Sequence, residues 1–527
     1  MATLYEHILK YQDKTTPAIY YENKTISYVL LHKNIRKMIS YLKSKGIKEN
    51  DVVTVVLPNV PTTIYLLYAL DAIGAKQNII HPLTPFEGIL QAMEDTSSKN
   101  LIVLETLYQE HTLEFEEASY NIFFVNPMYD NNLFMRKAFY FKYKGIKEND
   151  HMFKIDKFHK EEEYVGEINH DDKKDSIFLH SGGTTGNPKI IALSDQAFNN
   201  LSSKIDGIVP SSLEGKSMLA VLPHFHGFGL GMGIHSPLYK GATTAIMMKF
   251  NSNKIIKWIN QNKINFIIGI PLLYTKLFEN KKFLKCHYEN LEYLFIGGDN
   301  CSTELIEKTN NFFKEKGIDC ALLEGYGLTE TVTVSNVNTK ENQKVGSVGK
   351  PLEGIKIQIR DEELNLLKPN EVGEVFISGD TLMNGYFNNP KATQETKLVI
   401  DDEEWIRTGD LGYLDEDGFL FIKGRKKRLI KISGINVYPS EVENLVSRIE
   451  GVRHAALIYF EESKKMSLFV TIHKEQVDDQ EQLIKEIDKN IKNKFTKYAW
   501  PKTIHIVEHF PRTKMGKIDY KEFKDLD

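Results

Sequence analysis

The chain has 527 residues, of which 41% are hydrophobic and 26% charged, and its 67 basic and 71 acidic side chains leave a net charge of −4. A chain of this length predicts two or three domains. The charge balance lacks the basic excess that a nucleic-acid partner demands, so we expect no such partner. No stretch reaches ~18 uninterrupted apolar residues, so we expect no integral membrane segment.

The first hundred residues alternate helical and strand patterns. Ile35 to Lys43 predicts a helix, the β-branched run Val52 to Leu57 a buried strand, Ile64 to Ile73 a second helix, and Asn78 to His81 another short strand. Such alternation predicts an α/β fold with a largely parallel sheet. Phe139 to Tyr164, rich in Lys, Glu, Asp and aromatic residues, indicates a solvated loop or insertion.

A second α/β pattern runs from about Ser217 to Tyr326, and short strands with turns follow from Gly346 to Phe421. One of these turns, Asp415-Glu-Asp-Gly418, predicts a hairpin. Beyond a basic cluster at 425–428, Pro439 opens a predicted helix. We therefore place a domain boundary near residue 424, with an N-terminal domain over 1–423 and a C-terminal domain over 424–527.

Cysteine usage bears on the compartment. Cys286, Cys301 and Cys320 are few, odd in number and not in a metal-ligand spacing. This usage is typical of a reducing compartment rather than of a disulfide framework. The first residues lack the basic and apolar regions of a signal peptide. We therefore expect a cytoplasmic protein.

A loop rich in glycine and threonine follows a short apolar strand that begins at Ser176. Glycines let backbone N–H groups point into one concavity, which is how proteins cradle phosphate oxygens. The spacing is not that of a Walker A motif, so the loop alone indicates polyphosphate binding without naming the enzyme, and a flexible surface turn is the alternative. The candidate phosphate-binding residues are Ser181, Gly182, Gly183, Thr184, Thr185, Gly186 and Lys189.

Seven further motifs follow the loop in order along the chain. They are Leu222-Pro-His-Phe-His226-Gly-Phe-Gly-Leu, Gly297-Gly298-Asp299, Glu324-Gly-Tyr326-Gly-Leu-Thr329-Glu330, Gly373-Glu374 with Gly385-Tyr386, Thr408-Gly409-Asp410, Gly424-Arg425-Lys426-Lys427 and Pro511-Arg-Thr-Lys-Met-Gly516-Lys517. Together with the loop, these motifs resemble the adenylate-forming superfamily of acyl-CoA synthetases, luciferases and peptide-synthetase adenylation domains, and the pattern is closest to that of acyl-CoA ligases. The resemblance spans nearly the whole chain. It implies an α/β fold in which a large N-terminal domain of α/β subdomains with a small β-rich subdomain precedes a small, mobile α+β C-terminal domain.

The resemblance assigns roles to single residues. It implies that Glu330 is the ligand of the Mg²⁺ that accompanies ATP, and that Asp410 accepts the two ribose hydroxyls. By their residue types alone, Asp410 also suits a turn, Tyr326 a buried turn position, and Arg425 a solvated charge. The other residues assigned to ATP or AMP are Gly297, Gly298 and Asp299 along the adenine, Tyr326 stacked on it, Gly327, Thr329 at the phosphate, and Arg425 at the ribose or phosphate.

The C-terminal motifs imply a moving domain. Lys517 resembles the lysine that reaches the carboxylate and α-phosphate during adenylation, where a cation offsets negative charge. In this lysine-rich tail, a solvated charge is the alternative. Lys427 resembles the hinge residue between two poses of the C-terminal domain. Ser433 and Gly434 fall in the loop that the family brings to the site for the thioester step, with an ordinary strand-end turn as the alternative.

The motif around His226 bears on the acid. Amino-acid-adenylating relatives place an aspartate after the phenylalanine, whereas here Phe225 precedes His226, which favours a fatty or aryl acid. His226, Phe228 and Gly229 form the predicted acyl pocket, although an isolated histidine more often satisfies a core position. The glycines at 227, 229, 231 and 233 indicate either space for an acyl chain or close helix packing.

Two positions depart from the family pattern after the loop, because Lys189 precedes Ile190 and Ser194 precedes Asp195. Either Ser194 or Asp195 suits the N-cap of a helix that begins near Gln196.

Taken together, the resemblance implies an acid–thiol ligase that forms an acyl-adenylate from ATP and a small carboxylic acid and then transfers the acyl group to coenzyme A. Its cofactors would be ATP, Mg²⁺ and coenzyme A. One alternative is a ligase that loads a separate acyl or peptidyl carrier protein. Another is a non-catalytic nucleotide-binding scaffold, which the catalytic set disfavours. That implied set is Lys517, Thr329, Glu330 and His226.

Overall fold

The protein is described here by a computed structural model that covers residues 2–131, 135–137, 139, 146–168, 170–181, 189–299, 301–432, 435–473, 475–512 and 518–523. Helices and strands alternate through the first 330 residues, and strands dominate after that. The α-helices in the described ranges are α1 (Leu4–Ile8), α2 (Tyr28–Ser44), α3 (Pro61–Ile73), α4 (Phe86–Asp95), α5 (Glu105–Tyr108), α6 (Thr112–Glu116), α7 (Asp195–Ser203), α8 (Ser236–Tyr239), α9 (Ser252–Asn260), α10 (Pro271–Glu279), α11 (Thr303–Glu315), α12 (Pro390–Thr396), α13 (Pro439–Val446) and α14 (Gln480–Lys494).

The strands build the sheets that position the site. They are β1 (Pro17–Tyr21), β2 (Lys24–Ser27), β3 (Val52–Val56), β4 (Lys76–Ile79), β5 (Asn100–Leu104), β6 (Asn121–Val125), β7 (Met152–Lys154), β8 (Asp175–His180), β9 (Ile190–Ser194), β10 (Ser217–Ala220), β11 (Thr243–Ile246), β12 (Phe266–Gly269), β13 (Tyr293–Ile296), β14 (Ala321–Tyr326), β15 (Asn336–Val337), β16 (Lys350–Pro351), β17 (Lys356–Arg360), β18 (Gly373–Ser378), β19 (Gly385–Tyr386), β20 (Lys397–Ile400), β21 (Glu403–Leu414), β22 (Leu420–Arg425), β23 (Ile430–Ile432), β24 (Ile435–Val437), β25 (Val452–Phe460), β26 (Lys465–Ile472) and β27 (Thr503–Ile506).

Two large sheets form the body of the N-terminal part. Within the described ranges, one has the strand order β16-β15-β14-β13-β12-β10-β11-β1-β2 and the other β19-β9-β8-β4-β3-β5-β6-β7. The strands from β8 through β7 in the second sheet pair in parallel. Helices connect most of them, as a parallel sheet requires. The predicted α/β fold is confirmed.

The early helices and strands follow the predicted pattern. Helix α2 contains the predicted helix and buries Leu31, Ile35, Met38 and Leu42 on one face. Its N-terminus is capped by Ser27, whose side chain accepts from the backbone N–H of Leu30. Strand β3 and helix α3 also lie where they were predicted, whereas β4 begins two residues before the predicted strand.

The segment from 139 to 164 is only partly the solvated loop that its composition indicates. Strand β7 pairs in parallel with β6 at the edge of the sheet, and a 3-10 helix, Ile155–Lys160, follows it. Met152, Ile155 and Phe158 are buried. The expectation is wrong for this part because single buried apolar residues stand among many charged ones, and composition averages over them.

A small β-rich unit and a C-terminal α+β unit complete the fold. In the described ranges the first is a sheet of order β17-β18-β21-β20, with β22 paired to β21. The predicted hairpin is present, since Leu414 pairs with Leu420 across the turn. The C-terminal strands β25, β26 and β27 form a sheet whose apolar residues share a core with those of α13 and α14. The predicted domain boundary falls inside β22 and stays a prediction.

None of the helices in the described ranges has the length and apolar character that crossing a membrane requires.

Candidate active site

The base of the glycine-rich loop is closed by two backbone contacts. Strands β8 and β9 pair antiparallel. Beyond their last pair, the N–H of Ser181 donates to the carbonyl of Lys189 at 2.9 Å, and the N–H of Lys189 donates to Oγ of Ser181 at 3.0 Å. Both residues are half-buried. The predicted loop residues between them, Gly182, Gly183, Thr184, Thr185 and Gly186, lie outside the described residues.

A line of contacts runs from this loop to Glu330. The ammonium of Lys189 lies 4.3 Å from the ring centroid of Tyr386, a cation–π contact. The hydroxyl of Tyr386 donates to Oε1 of Glu330 at 2.8 Å. Tyr386 is held there because β19 pairs with β9, so that Tyr386 lies opposite Ile191. The backbone of Glu330 is also tied to this region, since the N–H of Met383 donates to its carbonyl at 2.8 Å.

A second line of contacts joins Tyr326, Asp410 and Arg425. The hydroxyl of Tyr326 donates to Oδ2 of Asp410 at 2.5 Å, and Nε of Arg425 lies 2.9 Å from Oδ1. Burial, and then the Asp410 carboxylate, raise the pKa of Tyr326 well above its usual range, so its hydroxyl remains a donor. Asp410 and Arg425 are opposite each other because β21 pairs with β22. The carboxylate of Asp410 and, more weakly, that of Glu330 raise the pKa of Arg425, which links the two lines electrostatically.

The glycine turns predicted at the nucleotide are tightly packed. A Cβ built on Gly327 would lie 1.4 Å from the carbonyl oxygen of Thr333, and one on Gly297 would lie 2.9 Å from that of Gly325. Gly298 has φ +79° and, like Asp299, is exposed. Thr329 opens the short 3-10 helix that contains Glu330.

The motif predicted at the acyl group leads into a π-helix, Phe228–His235. Nδ1 of the half-buried His226 accepts from the N–H of Phe228 at 3.3 Å. The ring of Phe228 lies beside Gly297 and Gly298, so the acyl motif borders the predicted adenine turn.

Close packing explains Gly227, the N-cap of this helix, and Gly229 within it. A Cβ on Gly227 would lie 1.9 Å from the carbonyl oxygen of Val332, and one on Gly229 would lie 2.0 Å from that of Pro223. Neighbouring backbone therefore already occupies the space beside Gly227 and Gly229. At these two positions the structure favours close packing over space for an acyl chain. The assignment of His226, Phe228 and Gly229 to the acyl pocket stays a prediction.

Sequence reasoning missed His224, in the same motif. It is buried, and both its N–H and its Nδ1 lie 3.0 Å from Oδ1 of Asn59. Burial lowers the pKa of His224 to about 3, so the imidazole is neutral. It borders a small apolar pocket together with Val55, Leu67 and other residues. The partner Asn59 is 165 residues away in sequence, so no local pattern could have revealed the pair.

Two more residues of the site were not predicted as such. Tyr386 was noticed only as part of a motif, and its role depends on the pairing of β19 with β9. Glu324, on β14, is half-buried, and burial raises its pKa to about 8. A carboxyl group that stays largely protonated at neutral pH can donate a hydrogen bond.

The residues on either side of Lys427 are tied to different parts of the chain. Nζ of Lys426 donates to Glu374 on β18 at 3.0 Å. Arg428 donates to Glu443 on α13 at 2.6 Å and lies 3.5 Å from the ring centroid of Tyr520. Lys427 between them is exposed. The predicted Ser433, Gly434 and Lys517 lie outside the described residues.

Comparison with known proteins gives two family matches. Residues 6–387 match the model of the AMP-binding enzymes, and residues 441–517 match that of the AMP-binding enzyme C-terminal domain. A long-chain-fatty-acid–CoA ligase of Bacillus subtilis (strain 168) is 26% identical over 97% of this chain and 91% of its own length. A 2-succinylbenzoate–CoA ligase of the same strain is 26% identical over 96% of this chain and 94% of its own.

Solved structures share the fold. The anthranilate CoA ligase AuaEII in complex with anthranoyl-AMP has a TM-score of 0.86 at 19% identity and covers 100% of this chain and 97% of its own. ATP-bound MatB from Rhodopseudomonas palustris has a TM-score of 0.85 at 21% identity and covers 99% of both chains. The family model spans more than half of the chain. The chain therefore belongs to the family of AMP-binding enzymes.

Proposed function

We propose that the protein is an AMP-forming acid–thiol ligase. It joins a fatty or aryl carboxylic acid to the α-phosphate of ATP with release of pyrophosphate, and then transfers the acyl group to coenzyme A with release of AMP. The relatives described above are ligases named for a long-chain fatty acid and for 2-succinylbenzoate.

The observation that supports the proposal is the pair of contact lines, Tyr326–Asp410–Arg425 and Lys189–Tyr386–Glu330, which are linked electrostatically through Arg425 and Glu330. Asp410 has two oxygens already oriented by Tyr326 and Arg425. Each carboxylate oxygen can accept more than one hydrogen bond, so this fixed pair can still receive vicinal ribose hydroxyls. On the other side, Lys189 and Glu330 are held by the same tyrosine, Tyr386. A cation and a carboxylate positioned together suit a polyphosphate and its metal ion.

The side chains present fit Mg²⁺. This ion keeps several waters and binds through one or two carboxylates together with substrate phosphates. Glu330 offers one carboxylate, and the Tyr386 hydroxyl fixes its orientation through Oε1. When bound, Mg²⁺ supplies positive charge that offsets the negative charge of the triphosphate. Lys189 adds further positive charge, and Thr329 lies next to the metal ligand for the phosphate. We assign Lys517 to the carboxylate and α-phosphate on the same electrostatic ground.

The reaction is tested by ATP–pyrophosphate exchange. We expect exchange that depends on an added acid, in a panel of short, medium and long fatty acids, anthranilate, benzoate and 2-succinylbenzoate. Adding coenzyme A should then give the thioester and AMP in equal amounts. Absence of exchange with every acid would refute the adenylation proposal. Exchange without a CoA thioester, but with transfer to a phosphopantetheine carrier protein, would assign the enzyme to carrier loading.

We also propose that the chain divides near residue 424 and that Lys427 is the hinge. The support is the anchoring of Lys426 to Glu374 on β18 and of Arg428 to Glu443 on α13. Proline fixes φ and restricts the residue before it. Lys427→Pro should therefore impair the thioester step more than exchange, with Lys427→Ala as the control. Equal loss of both steps in the proline variant would contradict a hinge at this position.

Ser433 and Gly434 belong to the same proposal, as the loop that meets the pantetheine arm. Gly434→Leu should slow thioester formation because a bulky side chain fills that path, and it should leave exchange intact. Exchange lost together with the thioester step would assign the loop to folding rather than to the second step.

We place the enzyme in the cytoplasm. Its support is the set of cysteines, Cys286, Cys301 and Cys320, which are free and buried, as is typical of proteins in reducing compartments. Fractionation with a cytosolic marker tests this, and recovery with secreted proteins would contradict it.

A further inference from the structure

A buried cluster of ionisable side chains lies apart from the nucleotide cleft. Asp71 is on α3, Asp195 is the first residue of α7, and His170 precedes β8. Ser176, at the start of β8, lines a pocket with Asp71 and His170. Ser181 and the glycine-rich loop lie at the other end of β8, roughly 16 Å away at the rise of a β-strand. The cluster is therefore a separate feature of the fold.

Three ligand atoms converge within this cluster. Nε2 of His170 forms a hydrogen bond with Oδ2 of Asp195 at 3.0 Å and lies 3.9 Å from Oδ1 of Asp71. One oxygen or nitrogen from each residue lies within 4.8 Å of the other two. Zinc–oxygen and zinc–nitrogen bonds in a tetrahedral site place neighbouring ligand atoms about 3.3–3.6 Å apart. The two distances from His170 bracket that value, so a bound ion would take the place of the hydrogen bond between His170 and Asp195.

Burial adds an independent reason for a ligand here. The side chains of Asp71 and Asp195 are 0% and 1% exposed. Oδ2 of Asp71 accepts from the N–H of Tyr5 at 2.8 Å, but Oδ1, which faces His170, has no hydrogen-bond partner among the described residues. Oδ1 of Asp195 likewise has no hydrogen-bond partner by distance and angle among the described residues, although the Asp195 carboxylate as a whole interacts with the Ser176 hydroxyl and with the Asp71 carboxyl. Buried carboxylate oxygens without partners are costly unless a proton or a cation lies between them.

The surroundings favour a cation. The pocket beside the cluster has about 20 Å³ of room, enough for one water or ion. It is bordered by the exposed residues Glu49, Asn50 and Lys174, so an ion can enter from solvent. A divalent ion would neutralise the charge of both carboxylates. Mixed imidazole and carboxylate ligands suit Zn²⁺ and its transition-metal neighbours better than Mg²⁺ or Ca²⁺, which prefer oxygen.

We propose that Asp71, His170 and Asp195 bind one structural transition-metal ion of the zinc class, with water completing the coordination. Helix α7 begins at Asp195 because Ser194 is the N-cap, its side chain accepting from the N–H of Ala197. Asp195 is thereby left to point into the cluster. The N–H of Tyr5 on α1 orients Asp71, so the ion joins α1, α3, α7 and the segment before β8. The ion stabilises this part of the fold and takes no part in adenylation.

Metal analysis of tag-free full-length protein tests the proposal. We expect one zinc per chain after purification, or uptake of one Zn²⁺ by chelator-stripped protein in titration calorimetry, with a higher midpoint of thermal unfolding. Asp195→Asn and His170→Gln should lose the bound zinc and the zinc-dependent shift. The matched control is Asp130→Asn, which changes a buried carboxylate bonded to Thr62 outside the cluster and should keep zinc.

A measurement on the unaltered chain covers the case in which variants fail to fold. Cobalt(II) added to stripped wild-type protein should give visible ligand-field bands that saturate at one equivalent and disappear on addition of Zn²⁺. Stripped wild-type protein that binds neither ion at micromolar concentration would overturn the proposal and leave a shared proton between the carboxyl groups. Zinc retained in full by His170→Gln and Asp195→Asn would also overturn it.

Discussion

The hydroxyl of Tyr386 offers a sharp test of how the proposed magnesium ligand is positioned. Tyr386→Phe removes the 2.8 Å hydrogen bond to Oε1 of Glu330 and retains the ring that Lys189 contacts. Burial and the Glu330 carboxylate raise the pKa of Tyr386 above its usual value, so the hydroxyl donates throughout the assay range. A hydrogen bond to a charged group contributes about 1.5–3 kcal/mol.

The free energy of this hydrogen bond sets the expected loss of activity. Because each ~1.4 kcal/mol is tenfold in rate, kcat/KM for Mg·ATP in the exchange assay should fall about 10- to 100-fold. The loss should be largest at low free Mg²⁺ and partly recovered at high Mg²⁺, because the carboxylate is still present but less well oriented. Tyr386→Leu, which also removes the ring beside Lys189, should lose more and should not recover.

The matched control is Tyr41→Phe. The hydroxyl of Tyr41 donates to the carbonyl of Lys154 at 2.8 Å, so this variant loses a bond of the same length away from the cleft. It should lower the unfolding temperature without changing the Mg²⁺ dependence. If Tyr386→Phe and wild type show the same Mg²⁺ dependence and the same kcat/KM, the hydroxyl does not position Glu330 and the reasoning is refuted.

Three further substitutions test other parts of the site. Gly327→Ala places a Cβ 1.4 Å from the Thr333 carbonyl oxygen. The free energy of unfolding should therefore fall by more than about 3 kcal/mol, or the variant should fail to fold, as measured by thermal unfolding. Burial raises the pKa of Glu324 from 4.5 to about 8, so the folded chain holds a proton that the unfolded chain has released, and ligand-free wild type loses stability as pH rises through that window. Glu324→Gln should therefore gain about 1–3 kcal/mol relative to wild type between pH ~5 and ~8, less than the full shift because water reaches the half-buried side chain. Lys517→Ala should lower exchange about 100-fold or more without changing unfolding, whereas Lys514→Ala should retain exchange.

Each of these has a result that would contradict it. Gly207→Ala is the control for Gly327→Ala because its added Cβ meets nothing within 4 Å, and similar unfolding of the two variants would show that the turn yields. A stability difference between Glu324→Gln and wild type that does not vary with pH would mean that Glu324 titrates normally. Unchanged exchange in Lys517→Ala would assign the role to another lysine.

Local sequence patterns were sufficient to predict those helices and strands whose buried residues are close together in the sequence. The helical spacing of Ile35 and its neighbours predicted α2, and the run of valines predicted β3. Both patterns are visible locally because the apolar residues of a helix face recur every three or four positions and those of a buried strand are consecutive. The hairpin at Asp415 followed from its turn residues. The edge strand at Met152 was missed because its burial comes from β6, a neighbour that composition does not reveal.

The site needed long-range pairing as well as motifs. Glycine motifs indicated where a nucleotide binds, yet Tyr386 reaches Glu330 only because β19 pairs with β9, and this contact joins residues 56 apart. The cluster of Asp71, His170 and Asp195 has no sequence signature, since helix and sheet packing alone bring α3 and α7 together. Side chains that meet through tertiary packing are therefore the part that sequence reasoning cannot reach.

The placement of these contacts bears on how one cleft serves two steps. Tyr326, Asp410 and Arg425 all precede Lys427, so a rotation at the proposed hinge leaves the residues proposed to contact the nucleotide with the N-terminal part. Described polar contacts that cross the hinge include Lys423–Glu441 at 2.5 Å, Arg448–Thr303 at 2.5 Å and Arg453–Glu279 at 3.6 Å. Partly exposed pairs of this kind contribute about 0–1 kcal/mol each, so the rotation breaks little. In the proposed reaction, the acyl-adenylate therefore stays bound while a rotation at Lys427 replaces Lys517 by the loop that contains Ser433.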